Sequence, residues 1–221
     1  MEELVGLTHP ERVHVRLKQR TDEWFAVRRG KITGTDFDKI APVGSRAVQI
    51  FFDKATSRFS PENYDPSEPF VTTNMRRGIE LEGTARSMYE CQYDLQVLEV
   101  GFVDYLLDNE FTGWCGCSPD GLVGRDGIIE IKCPTEENFL VHKWRLPLKY
   151  MRQAMFNTWA TDRRWCDFIL YSSSGKLHVQ RLHLNEEWRT KIETTMRFAI
   201  GEIQKIVRDL AQARAAKKQR T

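Results

Sequence analysis

The stretch that most constrains this chain is GIIEIKCP, Gly127 to Pro134, which follows two turn signals, SPDG (Ser118 to Gly121) and GRDG (Gly124 to Gly127). Gly and Pro punctuation this dense leaves room for short strands and nothing longer. On a strand, side chains alternate faces, so Ile129 and Ile131 share one side while Glu130 and Lys132 share the other. Burying the two isoleucines in a core then leaves the carboxylate and the ammonium side by side at a cleft, about 7 Å apart along the strand. Asp120, in the turn at the end of the neighbouring strand, can approach the same spot.

The rest of the chain changes period around this segment. Asp22 can cap a helix beginning at Glu23, with Trp24, Phe25 and Val27 as its apolar contacts. A second helix follows Thr33-Gly34-Thr35 with Phe37 and Ile40 inside, and residues 47–59 read as a third. SPENYDPSEP, Ser60 to Pro69, is a loop. A helix from Gly78 to about Gln92 is expected to bury Ile79, Met88 and Tyr89. Residues 95–105 and Phe111 to Cys117 alternate like strands, and Ile128 to Lys132 is the next strand. Helices are expected over 136–146 and 148–161, the latter opened by Pro147. WCDFILYS and KLHVQRLHL read as two strands joined by Ser172-Ser173-Ser174-Gly175. A final helix carries Ile192, Met196, Ala199, Ile200, Ile203, Ile206, Val207 and Leu210 at helical spacing. The pattern predicts an α/β fold, a central mixed sheet flanked by helices. It also predicts a single domain over 1–221, with a basic C-terminal helix and tail over about 189–221.

Composition bounds the function. With 41% hydrophobic and 29% charged residues in 221, the chain is globular. No apolar run reaches the roughly 20 residues that span a bilayer. The N-terminal stretch MEELVGLTHPERVHVRLKQR lacks an apolar core, so no signal peptide is expected and a cytoplasmic protein follows. Five cysteines, an odd number, fit a reducing compartment. Cys115-x-Cys117 has no second pair at zinc-finger spacing, so the cysteines read as buried thiols. Net charge is only +2, but basic residues cluster at Arg28-Arg29-Gly30-Lys31, Arg76-Arg77, Arg163-Arg164 and along the C-terminal stretch. A phosphate responds to such local fields rather than to the global sum.

Two carboxylates sharing a few ångströms repel, and a hard divalent cation relieves that repulsion. An oxygen-only set with no His or Cys selects Mg²⁺, or Mn²⁺ in its place, over zinc. A lysine beside such a cation can orient an attacking water and neutralise charge growing on a scissile phosphate. Spacing alone also allows a solvated Glu130–Lys132 pair contributing under ~1 kcal/mol. Glu82 reads by spacing as a helical i, i+4 pair with Arg86, stabilising by ~0.3–0.5 kcal/mol. Arg28 and Arg29 allow a solvated helix end. GKITGT is no ATP loop, because the glycine five before Gly30 is missing and Ile32 stands where a Ser or Thr is required.

Four segments in order, over about residues 22 to 160, carry a closer resemblance. SPDG with EIK is similar to the PD-(D/E)xK nuclease motif, on Asp120, Glu130 and Lys132. DEWFAVRRGKITGTDF (Asp22 to Phe37), RGIELEGTAR (Arg77 to Arg86), CSPDGLV with IEIKCP, and YMRQAMFNTW (Tyr150 to Trp159) together resemble the phage lambda-type alkaline exonucleases, the YqaJ-like viral recombinases. The resemblance implies a restriction-endonuclease-like core, with Asp120, Glu130 and the Ile131 backbone carbonyl as metal ligands and Lys132 as the catalytic lysine. It implies that Glu82 reaches the metal directly or through water, and that Gln153 positions water or substrate with Tyr150 in support. It further implies that Arg28 and Thr35 form a pocket for a 5′-terminal phosphate. The family's Q-x-Q pattern is here Gln153-Ala154-Met155, so its second glutamine is absent. Ser is also common where Thr35 stands.

The implied activity is a Mg²⁺-dependent 5′→3′ exonuclease on double-stranded DNA ends, encoded by a phage or prophage and acting in the bacterial cytoplasm. It would release 5′ mononucleotides and leave 3′ single-stranded tails. The implied partners are duplex DNA ends, a single-strand annealing recombinase and two further copies in a homotrimeric ring. The competing readings are a PD-(D/E)xK endonuclease of restriction or repair type and a non-catalytic DNA-end binder. The first would need base-reading elements that the sequence does not offer. The second has no physical need for a lysine beside two clustered acids.

Overall fold

The computed structural model describes residues 9–41, 44–61 and 72–218. Most of the loop expected over Ser60 to Pro69, and the first eight residues of the N-terminal stretch, lie outside the described residues. The elements run β1 (Val13–His14), α1 (Asp22–Arg28), α2 (Gly34–Ile40), α3 (Ser45–Phe59) and α4 (Thr73–Tyr93), then β2 (Val97–Leu98), β3 (Phe102–Asp104), β4 (Gly116–Cys117), β5 (Gly121–Val123) and β6 (Gly127–Lys132). After them come α5 (Glu136–Trp144), α6 (Leu148–Ala160), β7 (Trp165–Tyr171), β8 (Leu177–His183) and α7 (Glu186–Lys218).

Five strands form a mixed sheet in the order β2-β5-β6-β7-β8. Its one parallel pair is β6 with β7, joined through α5 and α6, while its other neighbours are antiparallel. A parallel pair requires such a crossover, and its helices must cover a face of the sheet. β6, the strand of GIIEIK, is therefore central. Ile129 and Ile131 pack with Ala85 and Tyr89 of α4 and with Ile169 of β7. On the other face Ile128 joins the larger core with Phe156 and Trp159 of α6 and Phe168 of β7.

The alternation along β6 is as expected, but the charged face is not an open cleft. α6 covers it, and Glu130 is 1% exposed. Four further expectations change. Thr21, not Asp22, caps α1 by accepting from the Trp24 N–H at 3.4 Å, and Asp22 becomes the first helical residue. α4 starts at Thr73 and presents Leu81, Ala85 and Tyr89 to the sheet at four-residue spacing, so Ile79 and Met88 are 42% and 37% exposed. The segment 95–105 is two short strands in different sheets, because the close approach of the 15–20 segment at Gly101 intervenes. Of Phe111–Cys117 only Gly116–Cys117 is strand. Gly113, at φ +76°, turns the chain, and Phe111 packs edge-on to Trp159 at 5.2 Å.

Two short-range features hold the hairpin that carries the acids. Gly121 has no left-handed backbone to excuse it; a Cβ there would lie 2.1 Å from Val97 Cγ1, so the glycine of SPDG is a packing requirement. Arg163, read from sequence as part of a basic cluster, is buried. Its Nη1 donates to the carbonyls of Val123, Gly124 and Gly127, tying the β5–β6 turn to the end of α6. α7 packs along α3, burying Ile192, Met196, Ala199, Ile200 and Ile203, with Ile206 and Val207 half-buried beyond them. Cys115, Cys117 and Cys166 are buried thiols, whereas Cys91 is exposed.

Candidate active site

Asp120 immediately precedes β5, and its N–H joins the ladder by donating to the Ile129 carbonyl at 3.2 Å. That fixes its side chain over β6, where Oδ2 accepts from the Ile131 N–H at 2.6 Å. Glu130 lies under α6. Its Oε1 accepts from Lys132 Nζ at 2.5 Å and from Gln153 Nε2 at 2.6 Å, and its Oε2 accepts from Asn157 Nδ2 at 3.0 Å. Lys132 Nζ also donates to the Ile131 carbonyl at 3.2 Å. Tyr150 stacks on Phe168 at 5.7 Å and turns its ring to Lys132, whose Nζ is 5.8 Å from the centroid. Asp120, Glu130, Ile131, Lys132, Gln153 and Tyr150 are therefore brought together.

Glu82 reaches this group from α4. Its Oε1 accepts from Arg86 at 3.0 Å, so the i, i+4 pair is present, while Arg86 Nε also donates to the Asp120 backbone carbonyl at 3.3 Å. The helix thereby clamps the residue that precedes β5. Burial and the nearby Asp120 charge push the Glu82 carboxyl up to about 7. Burial likewise raises Glu130 to about 7, against the opposing pull of Lys132 and with Asp120 adding to the rise. Asp120 is raised too, chiefly by burial. Burial would depress Lys132, but the charges of Glu130 and Asp120 outweigh it and hold the ammonium well above its ordinary value. Burial raises the three carboxylates together, and the charge of Lys132 offsets that rise only in part.

That is the environment a divalent cation fits, and the donors present are all oxygens, as Mg²⁺ or Mn²⁺ requires. Among the described residues no three His, Cys, Asp or Glu side chains converge on one point. Asp120, Glu130 and the Ile131 carbonyl are the oxygens that could hold such a cation, and Glu82 faces them from α4. Mg²⁺ characteristically keeps several waters and takes only one or two carboxylates.

Asn157 is not among the residues that the sequence singles out. It is Gln153 plus one helical turn, so the two amides share a face of α6, and that spacing is the one signal that could have found it. Its Oδ1 is buried without a hydrogen-bond partner, and a Cβ at Gly34 would lie 2.4 Å from it and 3.1 Å from Gln153 Cγ. Gly34 therefore lets the start of α2 lie directly on the two amides that hold Glu130. Thr35, next in the chain, is exposed on α2. Arg28 ends α1, lies 3.9 Å over the Trp24 ring, and donates to Ser118 Oγ at 3.0 Å. Ser118 in turn accepts from Trp24 Nε1 at 3.1 Å and donates to the Gly101 carbonyl at 2.7 Å. Arg28 is thus tethered two residues ahead of Asp120. Lys31, from the same basic cluster, pairs with Asp104 at 2.5 Å instead.

The family described as the YqaJ-like viral recombinase domain matches residues 23–164, well over half of the chain and a span that contains every one of these groups. This chain belongs to that family. A solved structure of an alkaline exonuclease from Laribacter hongkongensis is 27% identical; the match covers 89% of this chain and 99% of that one, with a TM-score of 0.77. The structure of that exonuclease in complex with dAMP matches over the same shares with a TM-score of 0.78. A phage-related exonuclease from Haemophilus somnus is 15% identical, over 81% of this chain and 96% of that one, and its TM-score of 0.55 speaks to the fold. No curated protein sequence matches significantly. This chain's mixed sheet flanked by helices, with Glu130 and Lys132 on the central β6 and Asp120 just ahead of the adjacent β5, is the PD-(D/E)xK fold. Among the described residues no helix is long and apolar enough to cross a membrane.

Proposed function

We propose that this chain is a Mg²⁺-dependent exonuclease that degrades one strand of duplex DNA from its 5′ end, releasing 5′ mononucleotides and leaving a 3′ single-stranded tail. The alkaline exonuclease relatives support the nuclease chemistry. The observation that carries the reading is Glu130. It is buried on a central strand, is held by Lys132, Gln153 and Asn157, and stands beside an Asp120 pinned to the Ile131 N–H. A fold does not hold two acids and a lysine this close, at the cost of burial, merely to keep its surface polar.

Asp120, Glu130 and the Ile131 carbonyl would hold the cation, which when bound polarises the phosphoryl oxygen and acidifies water. Lys132 carries a proton throughout the neutral range and sets its positive charge beside the scissile phosphate, stabilising the charge that develops there. Gln153 and Asn157 fix the Glu130 carboxylate in one orientation, and Tyr150 walls the lysine on its other side. Arg28, tethered through Ser118 to the turn that carries Asp120, can offer a planar fork to a terminal phosphate, with the Thr35 hydroxyl as a further donor. The 3′-ended strand left behind is what a single-strand annealing protein acts on. A ring of three copies would concentrate the basic residues of a chain whose net charge is only +2.

The test incubates end-labelled linear duplex and covalently closed circular duplex with Mg²⁺. Digestion of the linear form alone, with 5′ nucleotides released, is expected; nicking of the circle would favour the endonuclease. Arg28→Ala is expected to erase any preference for 5′-phosphorylated over 5′-hydroxyl ends, read as the ratio of initial rates on the two substrates. A ratio unchanged from wild type would remove Arg28 from the phosphate pocket.

A further inference from the structure

The segment ahead of α1, residues 15–20, precedes the span that matches the family and has no role in the site so far described. It is a strap with fixed ends. The Leu17 N–H donates to the His14 carbonyl at 3.4 Å, the Gly101 N–H donates to the same carbonyl at 3.0 Å, and Thr21 Oγ1 donates to the Lys18 carbonyl at 3.0 Å. A Cβ at Gly101 would lie 1.8 Å from the Leu17 carbonyl oxygen, so only glycine lets the strap come this close. Exposure alternates along it: Val15, Leu17 and Gln19 are half-buried, while Arg16, Lys18 and Arg20 are exposed.

The strap forms one wall of a cleft of about 500 Å³ whose other side includes Glu82, Arg86 and Asp120. Arg86 is neutralised there by Glu82 at 3.0 Å and by Glu99 at 2.7 Å. Among the described residues Arg16, Lys18 and Arg20 form no ion pair, even though these acids stand across the same cleft. Other basic side chains around the site, such as Lys31, Lys54 and Arg152, do find acids. Long flexible cations facing acids across a cleft without closing on them leave space for an anionic occupant between the two.

Resting on the exonuclease reading, we propose that Arg16, Lys18 and Arg20 bind the phosphodiester backbone of the DNA strand that enters the catalytic centre, along the cleft between the strap and α4. The strand's phosphates face the three strap cations on one side, and its scissile phosphate meets Asp120, which lines the other. Each neutralised phosphate releases condensed counterions, so its contribution is read directly from the salt dependence of binding.

The test compares the full-length wild type with R16Q/K18Q/R20Q, binding a fluorescent duplex with a single-stranded tail in EDTA across about 50 to 200 mM KCl. The slope of log K against log salt is expected to become shallower by about 2 to 3 in the triple variant and by about 0.7 to 0.9 in each single variant. In Mg²⁺ the KM for linear duplex is expected to rise roughly tenfold or more, with kcat falling less. The three side chains are exposed, so the melting temperature should hold; should the triple variant not fold, the single variants carry the slope. An unchanged slope overturns the proposal. Weaker binding of dAMP with an unchanged duplex slope would assign the cleft to the released mononucleotide and overturn it too. A wild type that binds duplex without digesting linear ends would defeat the exonuclease reading, while the slope still decides the strap.

Discussion

Lys132→Ala is expected to lower cleavage of linear duplex by ~10²–10⁴-fold while duplex affinity stays within a few-fold of wild type. The asymmetry follows from geometry. Lys132 Nζ lies 2.5 Å from Glu130 Oε1 and 3.2 Å from the Ile131 carbonyl, inside the group of atoms that would surround a scissile phosphate. Its charge is not spread over a groove where it would serve general DNA binding. Removing it takes away one cation at the reacting phosphate and, at most, one phosphate contact from overall affinity. Alanine also deletes an aliphatic stem packed by Tyr150, so Lys132→Met, which keeps the stem and drops the charge, separates packing from electrostatics. Both variants should lose cleavage, measured as initial rates on end-labelled duplex. Residual activity above about a tenth of wild type in Lys132→Met would remove the lysine from the chemistry.

Asp120→Asn is expected to lose at least ~100-fold of Mg²⁺-dependent cleavage and to melt a few degrees higher than wild type in EDTA. The substitution keeps an acceptor for the Ile131 N–H, so the open end of the β5–β6 hairpin retains its 2.6 Å bond. What it removes is one member of a set of acids that burial and mutual repulsion hold above their ordinary range. Relieving that repulsion contributes on the order of 1 kcal/mol, or about 2–4 °C in a chain of this size. A structural acid would show the opposite pattern, with stability lost and activity merely reduced. Calorimetry without metal and a Mn²⁺ binding titration read the two effects independently. A metal titration indistinguishable from wild type would strike Asp120 from the ligand set.

Much of the site is legible in the residues themselves. Alternation along GIIEIK places Glu130 and Lys132 on one face, because a strand admits no other arrangement of neighbouring side chains. The turn chemistry of SPDG and GRDG puts Asp120 at the start of one strand and Glu130 on its neighbour. The helical stripe from Ile192 to Ile203 and the buried Phe37 and Ile40 follow from periodicity alone. The four segments that resemble the alkaline exonucleases span residues 22–160, and the family match over 23–164 coincides with them.

Other features depend on distances that no local pattern encodes. α4 is a case: its apolar residues are sparse, and only the phase of its contact with β6 decides that Ala85 and Tyr89, rather than Ile79 and Met88, face the sheet. Arg163 reads as a surface cation, yet three carbonyls of a turn some forty residues earlier in the sequence bury it. Asn157 has no motif to announce it; it matters because Glu130, on another element, leaves Oε2 facing it.

By itself, the sequence determined that Glu130 and Lys132 share one face of β6, because their identity and two-residue spacing are covalent facts that survive in any strand. It also determined the family. Only the tertiary structure decided that Glu130 is buried rather than set in an open cleft, since that depends on α6 crossing the sheet between β6 and β7. It alone tied Arg28 to Ser118, two positions before Asp120, and set the cations of residues 16–20 across a cleft from Glu82. Covalent spacing governs which groups are neighbours on one element. Burial and charge pairing between elements depend on how those elements close against one another.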